Sequence, residues 1–170
     1  LSSPSFVRDM IGHGAVFGIY NEYIPVNGEE MDLVPERGRL EELKRFAETT
    51  RERESIVLLN MPGDEYDEND RCLAVGRGSI HVNAQGFVEP CPFAHYAREN
   101  IKINSFQEIL ESPFLKALRE HPTALTKGDI GCSLVSNGEI LKTLAEENGA
   151  VSTNVEATEA IEVTVKGMTG

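Results

Sequence analysis

The segment from Cys72 to Tyr96 reads CLAVGRGSIHVNAQGFVEPCPFAHY and contains two of the three cysteines of the chain. Residues 79–89 have the pattern of a β-hairpin, with a turn that ends at Gly86. Glycine at this position permits the positive φ that other residues resist. Because Cys72 precedes the hairpin and Cys91 follows it, we expect the two thiols to emerge at the same end of the hairpin.

Three kinds of chemistry fit the spacing of Cys72, Cys91 and Cys132. The chain has no CxxC pair, so three unrelated buried cysteines are one interpretation, since free cysteine is often buried. A zinc site is the second, in which His95, four residues after Cys91, joins the thiolates. An iron–sulfur site is the third, in which thiolates converge on a group of iron atoms. The residues alone leave all three open.

Composition narrows the class of protein. The 170 residues include 28 acids and 16 bases, a net charge of −12, and 40% hydrophobic residues. This predicts an ordinary globular chain and argues against binding to duplex nucleic acid or to an anionic membrane surface. No apolar run approaches the roughly 20 residues of a spanning helix. Three cysteines are too few for a disulfide scaffold, which favours a reducing compartment and hence a cytoplasmic protein.

The first third of the sequence predicts a β-α-β unit. Apolar runs at Ala15 to Tyr20 and at Ile56 to Leu59 are typical of buried strands. A helix from Pro35 to about Arg53 lies between them, and a short helix begins after Ser3. Two parallel strands do not form a stable sheet alone, so we expect the rest of the sheet to belong to a missing part of a longer protein or to another chain.

The remainder predicts a loop followed by helices. The acidic run Gly63 to Arg71 is expected to be a solvated linker at a domain boundary. Capped helices are expected to begin at Ser105 and at Ser112, and a third helix is expected over 137–148. Alternation over 161–165 fits a late strand or a frayed tail.

The segment from Cys72 to Tyr96 resembles the start of the auxiliary-cluster domain of radical S-adenosylmethionine enzymes, called SPASM or, in a shorter form, twitch. Thirteen residues separate Cys72 from Gly86 and four separate Gly86 from Cys91, as in that family. NIKINSFQEILESPFLKALRE resembles the helical part that follows, and GDIGCSLVSN places Cys132 as a downstream ligand. GIYNEYIPV and SIVLLNMPGDE resemble the last strands of the family's partial barrel.

The resemblance implies an α/β fold in three parts. Residues 1–63 would be the C-terminal β-α-β portion of a partial (β/α) barrel, 64–137 a small α+β twitch-like domain with a β-hairpin and helices, and 138–170 a helix with a weakly ordered tail. An auxiliary 4Fe–4S cluster would be bound by the three cysteines. Its fourth iron would be open to substrate or take a ligand such as His95. His81, inside a predicted strand, is expected to have a structural role.

For the intact enzyme, the resemblance implies reductive cleavage of S-adenosylmethionine to a radical that abstracts hydrogen from a small-molecule or peptide substrate. It also implies an electron donor such as ferredoxin or flavodoxin. The CxxxCxxC motif of the cleaving cluster is absent from this chain, and we expect it upstream of Leu1. A stand-alone iron–sulfur electron-transfer protein and a zinc-stabilised interaction module are the alternatives.

Barrel enzymes carry their chemistry at the carboxyl ends of their strands. Asn21 and Glu22 follow the first predicted strand, and Asn60 and Gly63 follow the second. By that rule these four residues face the active site, and the family resemblance implies that they contact S-adenosylmethionine and substrate. The alternative is that Glu22 and Asn60 only cap loops.

Overall fold

The computed structural model describes residues 2–25, 30–128 and 131–153. The predicted strand over 161–165 lies outside these residues. In the described ranges no helix is both long enough and apolar enough to cross a membrane. The helices are α1 (Pro4–Gly12), α2 (Arg37–Arg53), α3 (Phe106–Leu110), α4 (Pro113–Glu120), α5 (Ser133–Ser136) and α6 (Gly138–Glu147). The strands are β1 (Phe17–Asn21), β2 (Val57–Met61), β3 (His81–Val82), β4 (Val88–Glu89), β5 (Tyr96–Ala97) and β6 (Val151–Ser152).

The expected β-α-β unit is present. Strands β1 and β2 pair in parallel, from Phe17 opposite Val57 to Asn21 opposite Met61, and α2 connects them. Helix α1 begins at an N-cap, where the Ser3 hydroxyl accepts a hydrogen bond from the Phe6 N–H. A small apolar core lies between the helices and the sheet. Its buried members are Val7, Ala47, Ile56 and Leu58.

The two faces of this sheet differ in exposure. Leu58 belongs to the covered face and is 5% exposed, whereas Phe17 and Val57 on the other face are 52% and 53% exposed. Ile19, two residues along β1 from Phe17, is also exposed. Because side chains alternate between faces along a strand, one face packs on the helices and the other presents an apolar surface.

The predicted hairpin is confirmed and is shorter than expected. Strands β3 and β4 pair His81 with Glu89 and Val82 with Val88. The Asn83 side-chain oxygen accepts hydrogen bonds from backbone N–H groups at 85 and 87, which closes the turn early. Gly86 has a φ of +89°, as the turn requires. The antiparallel pair β5–β6 was not anticipated from the sequence.

The helices after the hairpin begin at the predicted residues. Ser105 and Glu108 form the expected capping box at α3, and Ser112 caps α4. Helix α6 occupies the third predicted helical segment, whereas the four-residue α5 was not predicted. These helices enclose the larger apolar core, whose fully buried members include Phe114, Leu118, Leu134 and Leu141, together with the three cysteines.

The acidic run after β2 is more than a solvated linker, so that expectation was wrong for two of its residues. Asp64 Oδ2 lies 2.5 Å from an Arg51 guanidinium nitrogen and accepts the Asn60 N–H at 2.9 Å. Asp67 accepts hydrogen bonds from the Arg71 N–H and from the Arg77 side chain. These bonds fold the run against its neighbours.

Candidate functional site

The three cysteines, far apart in sequence, line one cavity of about 500 Å³. All three are free thiols and are only 5–7% exposed. Apolar side chains, among them Ile24 and Val75, contribute much of the remaining wall. The cavity therefore offers three sulfur ligands within a largely apolar wall.

Backbone hydrogen bonds fix the segment at Cys72. Its N–H donates to the Leu125 carbonyl at 2.8 Å, and its own carbonyl accepts from the Arg77 guanidinium at 3.0 Å. Arg77 belongs to the Gly-Arg-Gly turn before the hairpin, and Asp67 anchors the same guanidinium. This turn, which could be mistaken for a phosphate loop, positions a cysteine instead.

Cys91 is separated from β4 by Pro90 and lies in a turn where the Ala94 N–H donates to the Cys91 carbonyl at 3.1 Å. The backbone N–H groups of Phe93 and Ala94 act to lower the pKa of the Cys91 thiol, against the larger effect of burial. N–H groups beside a sulfur favour its thiolate form and, in iron–sulfur proteins, tune the reduction potential.

Cys132 is the N-cap residue of α5, and the backbone N–H groups of Val135 and Leu134 act to lower the pKa of its thiol, against the larger effect of burial. The Tyr66 hydroxyl bridges the two chain neighbours of Cys132. It donates to the Gly131 carbonyl at 2.7 Å and accepts from the Ser133 N–H at 2.8 Å. Tyr66 therefore holds the Cys132 loop from both sides.

The surroundings of Cys91 and Cys132 favour the protonated thiols when no cation is near. Burial raises the pKa of both Cys91 and Cys132, and charge repulsion from neighbouring cysteines raises it further. Burial likewise raises the pKa of Tyr66. A metal ion bound among these sulfurs would reverse the balance, because its charge stabilises thiolates.

The thiols surround the cavity and do not meet at one point. Within the described part of the chain, no three Cys, His, Asp or Glu side chains form a group that could hold one metal ion. A single zinc ion needs all its sulfur ligands at about 2.3 Å from one centre. In an iron–sulfur cluster the thiolates bind different iron atoms, so three thiols that line one cavity without forming a single-metal site fit the cluster better.

Two histidines lie beside this site. His95 Nδ1 is 3.6 Å from Glu89 Oε2, but His95 is not among the residues that line the cavity. His81, for which a structural role was expected, lines the cavity with the cysteines. Its Nδ1 lies 2.8 Å from the same Glu89 oxygen.

The structure brings Glu22, Asn60 and Gly63 together at the carboxyl ends of β1 and β2. Asn60 Nδ2 donates to Glu22 Oε1 at 3.1 Å, and a Cβ at Gly63 would lie 2.2 Å from Asn60 Nδ2. Asn21 and Glu22 line the cysteine cavity and also a second cavity, against α2. Asn60 is 1% exposed and lines neither.

Glu22 carries a buried atom without a partner. Its Oε2 has no hydrogen-bond partner among the described residues, and neither has Asn60 Oδ1. Burial raises the pKa of Glu22, against the lowering effects of the Lys127 charge and the Asn60 hydrogen bond. Buried acceptors of this kind are costly, and a ligand hydroxyl or amine is one way to satisfy them.

Three further residues at the site were missed from the sequence. They are Glu89, Tyr66 and Ser133. Glu89 is fully buried between two histidines, and Ser133 lines the cavity with a buried hydroxyl that has no partner in the described residues. Glu89 is followed by Pro90 and Cys91, and this pair is a local sign that the backbone around Glu89 and Cys91 is ordered. No spacing rule points to Tyr66 or Ser133.

The segment that carries the three cysteines matches a known protein family. Residues 72–133 match the SPASM family model, which describes an iron-sulfur cluster-binding domain. The match begins at Cys72 and includes Cys91 and Cys132. Searches of curated proteins and of solved structures found no match to the chain. The match confirms the resemblance seen in the sequence for this segment: residues 72–133 are similar to the SPASM iron–sulfur cluster-binding domain.

Proposed function

We propose that this chain is the C-terminal part of a radical S-adenosylmethionine enzyme, in which Cys72, Cys91 and Cys132 bind an auxiliary 4Fe–4S cluster. One observation carries the proposal. The cavity that holds the three thiols is also lined by Asn21 and Met61, the last residues of the two parallel strands. A cluster bound there would therefore adjoin the edge of the sheet at which barrel enzymes bind their substrates.

The sheet itself supports the partial barrel. The exposed apolar face of β1 includes Ile19, which also lines the cysteine cavity. In a larger barrel this face would point inward, because the helices cover the opposite face. We propose that residues 1–63 complete such a barrel, with 64–137 as the twitch-like domain and a helix in the part that follows.

An auxiliary cluster, when bound, supplies an electron acceptor or an iron site for substrate. The protein's own part is to hold and shield it. Burial of the three cysteines keeps water from the sulfurs, and N–H groups around Cys91 and Cys132 favour their thiolate forms. Phe93 and Ile24 extend the apolar wall. These features orient the cluster and limit its exposure to solvent.

At the strand ends, Asn21 and Glu22 would contact S-adenosylmethionine. Glu22 offers a buried oxygen without a partner, and both residues line the two adjoining cavities. A ribose hydroxyl or the amino group of the ligand is a suitable donor for that oxygen. Asn60 and Gly63 would support the site indirectly, since Asn60 holds the Glu22 carboxylate and Gly63 leaves room for both.

The open side of the cavity would admit the substrate, a small molecule or a peptide. A ferredoxin or flavodoxin would supply electrons to the intact enzyme.

The coding DNA upstream of Leu1 tests whether this chain is part of a radical S-adenosylmethionine enzyme. An open reading frame that encodes CxxxCxxC supports the enzyme, whereas an in-frame stop codon immediately upstream contradicts it and favours a separate iron–sulfur electron-transfer protein.

A further inference from the structure

Glu89 is a fully buried carboxylate whose two oxygens are both occupied. Oε2 faces His81 Nδ1 at 2.8 Å, and Oε1 accepts hydrogen bonds from Asn83 Nδ2 at 2.8 Å and from the Thr153 hydroxyl. An ionised carboxylate is expensive to bury and is retained where its hydrogen bonds hold something in place. Here the group that it holds at the cavity wall is the imidazole of His81.

The two ring nitrogens of His81 have different surroundings. Nδ1 faces Glu89, and within the described residues Nε2 has no hydrogen-bond partner. A neutral imidazole that donates from Nδ1 presents a lone pair at Nε2, the form that binds metals. His81 is a cavity-lining residue together with Cys72, Cys91 and Cys132.

We propose that His81 Nε2 is the fourth protein ligand of the cluster, and that Glu89 orients the ring through Nδ1. This inference rests on the proposed function, because it requires the cluster in this cavity. Metal-bound histidine commonly donates its other N–H to a carboxylate, which fixes the tautomer and the ring orientation. The three thiolates leave one iron of a 4Fe–4S cluster without a cysteine, and the cavity wall supplies this nitrogen.

Two other residues compete for the role and serve as matched controls. His95 also approaches Glu89 Oε2, at 3.6 Å, but does not line the cavity. Ser133 lines the cavity, and its hydroxyl is buried without a partner in the described part of the chain. Replacement of either residue should leave the ligand set unchanged if His81 is the ligand.

The test uses the full chain, reconstituted with iron and sulfide without oxygen and then reduced. Pulsed EPR of protein labelled with ¹⁵N-histidine should show a nitrogen hyperfine coupling of a directly bound imidazole in the wild type. The coupling should persist in His95→Ala and Ser133→Ala and disappear in His81→Ala. His81→Cys should restore a stable cluster with a lower reduction potential, since histidine in place of cysteine raises the potential.

Iron content separates failure of this inference from failure of the proposed function. About four irons per chain with no nitrogen coupling in the wild type would overturn His81 ligation and leave the cluster domain intact. Loss of the coupling in His95→Ala, with its retention in His81→Ala, would assign the other histidine. A wild-type chain that takes up no iron would overturn both proposals.

Discussion

Gly131 and Glu22 approach so closely that a Cβ at position 131 would lie 2.0 Å from Glu22 Oε2. The two residues belong to different parts of the chain. Gly131 precedes Cys132, a proposed cluster ligand, and Glu22 follows β1. The loop that carries one cysteine therefore packs directly on the end of a parallel strand, so the two regions proposed to bind cluster and S-adenosylmethionine are in contact.

We predict that Gly131→Ala will destabilise the protein by about 1–3 kcal/mol, because Glu22 must leave its buried position. In a Glu22→Ala background the same substitution should cost much less, which a double-mutant cycle of denaturant unfolding would measure. Gly12→Ala is the control, since a Cβ there meets nothing within 4 Å. Equal costs in both backgrounds would refute the contact.

Tyr66 is predicted to hold the Cys132 loop for cluster retention. Tyr66→Phe leaves the Gly131 carbonyl and the Ser133 N–H without their partner, which should cost about 1–3 kcal/mol. Iron should also be lost faster to a chelator, as measured by the decay of cluster absorbance.

The matched control for Tyr66 is Ser105→Ala. It removes a hydroxyl with hydrogen bonds in the exposed capping box of α3 and should cost about 1 kcal/mol. Iron loss should then match the wild type. If both variants lose iron equally fast, the role of Tyr66 at the Cys132 loop is refuted.

The pair of Arg51 and Asp64 predicts a specific acid sensitivity. Burial acts to raise the Asp64 pKa, but hydrogen bonds from the Arg51 side chain and the Asn60 N–H outweigh it and lower the pKa. Because the folded pKa lies below the unfolded value of about 3.9, the stabilisation is complete well above pH 4. It is lost as the pH falls through the folded pKa.

Asp64→Asn should therefore lower the free energy of unfolding by about 1–3 kcal/mol at pH 7. Its stability should also decline less steeply than that of the wild type below about pH 4. Urea unfolding of both proteins across pH 3 to 7, without bound cluster, measures the difference. Parallel declines in the two proteins would contradict the assigned role of Asp64.

Local patterns in the sequence predict most of the fold. The apolar runs before Tyr20 and Leu59 indicate the parallel strands, and Ser105 with Glu108 indicates the start of α3. The hairpin and Gly86 predict that Cys72 and Cys91 share one end, and the structure places both on one cavity. These features depend on residues close in sequence, so periodicity and turn chemistry suffice to find them.

The rest of the site depends on distant contacts that no local pattern records. Pairing of Tyr96 with Ser152 joins two-residue strands, which are too short to show alternation. Proximity to Cys91 favours His95 as a ligand, but His81 is the histidine at the cavity wall. Which face of a short hairpin meets the cavity is decided by packing, and hence His81 and Glu89 emerge only from the structure.

The most direct test of the central claim is the content of iron, zinc and acid-labile sulfide per chain after reconstitution without oxygen. We predict about four irons and four sulfides in the wild type, with loss of both in Cys91→Ala and retained folding by circular dichroism. Stoichiometric zinc without sulfide would contradict the account. So would an iron and sulfide content that Cys91→Ala leaves unchanged.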